Sequence, residues 1–197
     1  MIFSKRQEIP KEVSKAGLGR WYSELNETDK VKIGRYLDGS GGASATELIL
    51  SIMRKANLEE NHGVAVLAGE CLLKDDLKKI ERFDLLEEMI PAYFGIRRYD
   101  DCLKCCREGI EILCGNIEKI KERNGGSLPD RIMCRSYTIN VLVGAYGDYD
   151  AGDKALDEFF EMGIISEEDL RYRKQSHKIH KLQRTFDGIF SVKLKDQ

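Results

Sequence analysis

The chain has 197 residues, 42% apolar, 34% charged and 8% aromatic, with three prolines and a formal charge of −2. This composition fits an ordinary globular chain and excludes a collagenous, low-complexity or strongly basic or acidic one; at this length about 70% of the unfolded surface is buried on folding, so no disulfide or metal staple is needed. The apolar runs fall far short of the ~18 residues of a membrane span, and MIFSKRQEIPKEV has no apolar signal core, which gives the expectation of a cytoplasmic protein without a membrane span.

Helical periodicity dominates, and alternation with hairpin turns is nearly absent. The first predicted helix starts at Pro10 and carries Val13, Leu18, Trp21 and Leu25; the second is capped at Thr28 and presents Val31, Ile33, Tyr36 and Leu37. Asp38-Gly39-Ser40-Gly41-Gly42 cannot propagate a helix. Residues 1–39 are therefore expected as a separate N-terminal helical pair, followed by a domain over 43–197. Ser44 opens a helix through Leu48, Ile49, Ile52 and Met53, and Asn61 caps one that buries Val64, Ala65, Ala68, Cys71 and Leu72. A run from Asp76 to Phe94 contains Pro91, which is expected to kink it. The next runs from Asp100 to Arg123 and stops at Asn124-Gly125-Gly126. Pro129 is placed to open a helix through Ile132, Tyr137, Ile139 and Val143. A turn at Gly147-Asp148-Tyr149-Asp150 leads into Lys154–Met162, and Ser166-Glu167-Glu168-Asp169 caps a last helix to about Phe190.

Six cysteines without a secretion signal read as reduced thiols. The pair Cys102 and Cys105 has the C-x-x-C spacing of zinc or thiol-exchange sites, but Cys114 and Cys134 supply no second ligand pair. The simpler reading makes Cys102 and Cys106 small apolar core residues one turn apart.

Three segments share a hinge: Asn61-His62-Gly63-Val64-Ala65, Arg98-Tyr99-Asp100-Asp101-Cys102 and Asp148-Tyr149-Asp150-Ala151-Gly152. Each sets a ring (His62, Tyr99, Tyr149) three positions before a small residue (Ala65, Cys102, Gly152). The ring fills the space between two helices at the turn, and the small residue lets the second helix come close. The pattern resembles the tetratricopeptide (TPR) family. The middle unit matches best, with Leu86, Met89, Tyr93, Tyr99, Cys102, Cys106 and Gly109 at motif spacing and Ile90 in place of a small residue. Ala65 and Gly69 fit in the first unit and Gly152 in the third, whereas Asn140 and Val143 depart from the pattern. The hinges lie 37 and 50 residues apart, against a family period of about 34.

The resemblance implies an all-α fold of antiparallel hairpins over 44–75, 76–124 and 128–163, stacked as a short right-handed superhelix and closed by a capping helix over 166–190. It further implies a non-catalytic scaffold or adaptor that takes a protein or peptide partner in a concave groove. The groove positions carried over are Leu50, Arg54, Asn57, Glu87, Phe94, Tyr137 and Val141; the alternative for these residues is contact with a neighbouring helix. The cationic clamp by which some family members hold a C-terminal carboxylate is not recognisable.

The last helix stands apart: residues 171–184 hold six Lys/Arg, two His and no acid. At 100° per residue Tyr172, Ile179, Leu182, Phe186 and Phe190 form an apolar stripe, expected to seal the end of the repeat stack. Arg171, Arg173, Lys174, Lys178, Lys181 and Arg184 form a basic face. That face suits nucleic-acid phosphates, an anionic membrane or an acidic partner, or is a solvated surface paired with Glu158, Glu161 or Glu167–Asp169. An RNA- or DNA-associated factor is thus the alternative to the adaptor, and self-association stays open. His177 and His180 have a metal-compatible i, i+3 spacing but no carboxylate nearby in sequence. No nucleotide-binding, metalloprotease or hydrolase motif occurs, so neither catalysis nor a cofactor is expected.

Overall fold

A computed structural model describes residues 8–37 and 44–193, with side chains described as far as residue 183. The glycine joint therefore lies outside the described residues, as do the side chains of Arg184, Phe186 and Phe190. Among the described residues every regular element is helical, and no helix is long and apolar enough to cross a membrane. The chain divides into two compact units, Met1–Cys134 and Arg135–Gln197, whereas the composition shift placed a division at the joint.

In the first unit, three short helices stand where a pair is expected: α1 (Lys11–Lys15), α2 (Gly19–Glu24) and α3 (Glu27–Gly34). Gly17 takes φ +76°, a left-handed conformation that ends α1 early. The side chain of Asn26, not Thr28, caps α3 by accepting from Asp29 N at 2.9 Å. These helices do not form a pair apart: α1 packs on α4 (Ala45–Leu58) and α3 on α5 (His62–Gly69). Tyr36 fastens them further. Its hydroxyl donates to Glu59 at 2.8 Å and accepts from Asn61 at 3.1 Å.

A capping box starts α4, with Ser44 Oγ accepting from Glu47 N and Glu47 accepting from Ser44 N. After α5 come α6 (Lys79–Gly95), α7 (Tyr99–Gly115) and α8 (Ile117–Arg123). Consecutive helices α4 to α7 pack on one another, and α4 also packs on α6. Their shared core holds Ile52, Met53, Leu86, Met89 and Ile90, all fully buried. Pro91 lies inside α6, which continues through it to Gly95. The single helix expected over 100–123 is broken at Asn116, whose side-chain amide donates to Ile112 O at 2.9 Å.

Pro129 does not open a helix. α9 (Met133–Ile139) starts four residues later, where Glu87 accepts from Met133 N at 2.6 Å and Cys134 N at 2.8 Å. The boundary between the units falls inside its first turn. In the second unit a π-helical turn over Asn140–Ala145 leads to α10 (Tyr149–Glu161), which packs on that turn and on α11 (Glu167–Lys193). Asp148 Oδ1 caps α10 from Ala151 N, and Ser166 Oγ caps α11 from Asp169 N.

Candidate functional site

The three ring-bearing hinges share one backbone conformation. A residue at positive φ comes first: Glu60 (+57°), Arg97 (+61°) or Gly147 (+71°). The next residue has φ/ψ of −86/57° at Asn61, −83/65° at Arg98 and −86/82° at Asp148. Its amide reaches back to a carbonyl of the preceding helix, Asn61 N to Ala56 O at 2.8 Å and Arg98 N to Tyr93 O at 2.9 Å. This is the hydrogen bond of a Schellman helix end. In the third hinge Asp148 N reaches Leu142 O, one residue further back, because the π turn inserts an extra residue.

His62, Tyr99 and Tyr149 are then the first residues of α5, α7 and α10. Tyr99 packs on Phe94 with centroids 5.4 Å apart, and Tyr149 meets His177 edge-on at 5.9 Å. A methyl group on Gly95 would overlap the His62 ring, and one on Gly152 would overlap Val143. Ala65 and Cys102 are fully buried, and Gly152 is buried as well. At each hinge a ring thus lies beside a close helix approach. Arg98 ties the middle hinge to α5, donating to Glu70 at 2.7 Å and lying 4.5 Å over the Tyr93 ring.

The expected groove residues of the first unit fall into two groups. Leu50 is buried, Asn57 donates to Glu88 O at 2.9 Å, and Glu87 holds the Met133 and Cys134 amides. Asn57 and Glu87 join helices together, and Leu50 lies in the core. Burial pushes the Glu87 carboxyl above the ordinary carboxylate range, and the hydrogen bonds from Cys134 and Met133 oppose that shift. Arg54 remains more than half exposed beside Glu88, and Phe94 is half-buried on its Tyr99 partner. In the second unit Tyr137 is half-buried and Val141 is fully buried.

The basic helix is paired along one side. Lys174 donates to Asp157 at 2.6 Å, His177 Nδ1 lies 2.7 Å from Asp153 Oδ1, and Lys181 donates to Asp150 at 2.9 Å. Spacings of three and four residues on α11 mirror those on α10, so the antiparallel helices close as a three-rung ladder. Arg171 and Arg173 pair with Glu167 and Asp169 one turn earlier. Sequence reasoning named Glu158, Glu161 and Glu167–Asp169 as candidate partners and missed Asp150, Asp153 and Asp157. The matching three-and-four spacing was the signal available. Lys178 is exposed, and His180 is exposed as well.

The apolar stripe is a correction. Tyr172, Ile179 and Leu182 are 73%, 48% and 59% exposed, so they seal nothing. The ladder decides the rotation of α11: bringing His177 inward onto Asp153 turns the stripe outward.

Cys102, Cys105 and Cys106 are buried, and burial pushes the Cys105 thiol up to about 12. Such a thiol is a packing group and a poor nucleophile. Among the described residues no group of three or more His, Cys, Asp or Glu side chains is placed to hold a metal ion. No protein-family model, curated protein or solved structure matches the chain.

Proposed function

We propose that this chain is a non-catalytic, TPR-like helical-repeat adaptor that binds another protein on the first-helix face of its first unit, around Arg54 and Phe94. The hinge carries the reading: one left-handed residue, one shared cap conformation and one leading ring recur three times. Successive hairpins of one geometry are how solenoid repeats build an extended binding surface. In the first unit Arg54 is exposed and Phe94 is half-buried, while Asn57 and Glu87 hold helices together. Arg and aromatic residues are enriched at the energetic centres of protein interfaces. The phosphate-binding alternative draws less support, since Lys174, His177 and Lys181 are spent on Asp157, Asp153 and Asp150.

Affinity capture from the native cell with the full chain tests this, comparing wild type with Arg54→Glu and Phe94→Ala at low and high salt. Loss of one protein partner in both variants, with unchanged circular dichroism and melting, supports the adaptor. Equal capture by all three chains contradicts it. Recovery of nuclease-sensitive nucleic acid that falls steeply with salt points instead to the alternative.

A further inference from the structure

The outward face of α11 is organised as a coiled-coil seam. With Tyr172 and Ile179 at a, Gln175 and Leu182 take d, Arg171 and Lys178 take g, and Ser176 and Gln183 take e. The ladder residues occupy the opposite side of the same heptad: Lys174 and Lys181 at c, His177 at f. α10 therefore covers c and f and leaves a, d and g uncovered, with Tyr172, Ile179 and Leu182 between about half and three-quarters exposed. An amphipathic helix ordinarily buries its apolar stripe on its own fold. Here His177 of the charged stripe is the buried residue, and Lys174 and Lys181 beside it pair with α10 while the apolar stripe stays exposed.

We propose that this face pairs with an amphipathic helix of a partner protein that carries an apolar a/d seam flanked by Asp or Glu. Charge complementarity selects that occupant. Residues flanking the seam set partner choice in coiled coils, and the g positions here are both cationic. Among the described residues Arg171 pairs with Glu167 on its own helix, an exposed pair of little strength. Lys178 is exposed with no acid of this chain against it among the described residues. Acids on a facing helix supply both, in the way Asp150, Asp153 and Asp157 already do on the other side.

A second copy of this chain is a poorer occupant. In parallel pairing its e positions, Ser176 and Gln183, offer no acid; in antiparallel pairing g faces g and sets cation against cation. An anionic bilayer is poorer too, because Gln175 interrupts the seam and Glu168 lies on the same line one turn before Tyr172. This face belongs to the second unit and Arg54 and Phe94 to the first, so the two proposals are tested on different residues and stand or fall independently.

The probe is a fluorescein-labelled 28-residue heptad peptide with Leu at a and d and Glu at e and g, titrated into the full chain by anisotropy. A matched peptide carries Lys at e and g. The Glu peptide is expected to bind about tenfold or more tightly than the Lys peptide, by the like-charge penalty of the mismatched flank. Ile179→Glu removes binding of the Glu peptide, and Lys178→Glu narrows or reverses the preference. Both substitutions fall on exposed positions, and circular dichroism confirms the fold; the second reads charge alone should the first disturb the helix. Equal affinity for both peptides, binding indifferent to Ile179→Glu, or no binding of either peptide overturns the proposal. So does sedimentation of the chain as a dimer that ignores the peptides, which assigns the face to a second copy. Co-sedimentation only with phosphatidylserine vesicles assigns it to a lipid surface and overturns it as well.

Discussion

Gly69→Ala is expected to destabilise the first unit, although the same exchange within a helix ordinarily stabilises by about 0.5–1 kcal/mol. Gly69 ends α5 where α4 and α6 also pass. A methyl group there overlaps Met89 Sδ and comes within 2.8 Å of Met53 Cε. Apolar heavy atoms rest at about 3.5–4.0 Å, so the Met53 terminus must retreat by roughly 1 Å and Met89 by more. Both methionines are fully buried, so their flexible ends must repack among neighbouring core side chains to make room. Overpacking of this kind costs about 1–3 kcal/mol, which leaves a net loss of up to about 2.5 kcal/mol after the helix-propensity gain. Gly63→Ala is the internal control, in the same helix with nothing within 4 Å of the added methyl; it is expected to be neutral or to gain up to about 1 kcal/mol. Urea unfolding followed by the fluorescence of Trp21, the sole tryptophan and a residue of the first unit, compares the three chains alongside circular dichroism. If Gly69→Ala equals or exceeds wild-type stability, the close approach of these helices is not what the small residue serves.

Three further outcomes follow from particular groups. Glu60 and Arg97 hold the left-handed hinge position as ordinary residues, so Glu60→Gly and Arg97→Gly should each gain about 0.5–1 kcal/mol, while Gly147→Ala should lose about 1 kcal/mol; urea midpoints measure all three. Glu87→Ala strips two amides of their acceptor and should cost about 1–3 kcal/mol. Because the Glu87 carboxyl is raised in the folded chain, its contribution is fully present below the ordinary value of about 4.3 and declines as pH rises through the raised one; Glu87→Gln should flatten that part of a stability–pH profile. Asp153→Asn should speed hydrogen exchange along α11 more than Asp150→Asn, because His177 is buried at its rung whereas Lys181 is well exposed.

The helical class, the caps at Ser44 and Ser166, and the buried cysteines were legible because each depends on residues adjacent in sequence or on a short periodicity. The hinges were legible as a pattern of ring and small residue, but not as a backbone geometry, since Glu60 and Arg97 give no glycine signal for the positive φ that Gly147 announces. Helix starts set by distant groups were misread. Pro129 looked like a first-turn residue, whereas the acceptor that starts α9 is Glu87, 46 residues earlier than Met133. The orientation of α11 was inverted for a similar reason. Amphipathic periodicity assigns the apolar stripe to the interior, and only the three aspartates of α10, spaced to meet Lys174, His177 and Lys181, reverse that assignment. Among the groove positions, Leu50, Asn57, Glu87 and Val141 turned out to be packing or linking residues. Sequence spacing fixes the face of a helix but not which neighbour covers it.

The claim that rings at the hinges fit against closely approaching helices is tested most directly by aromatic-edited NOESY on the full chain. The account predicts cross-peaks from the His62 ring to the Gly95 α protons, from the Tyr99 ring to Phe94 and from the Tyr149 ring to His177, with the Gly95 protons displaced by the ring current. Water-like exchange and no inter-helix cross-peaks at these rings would contradict it.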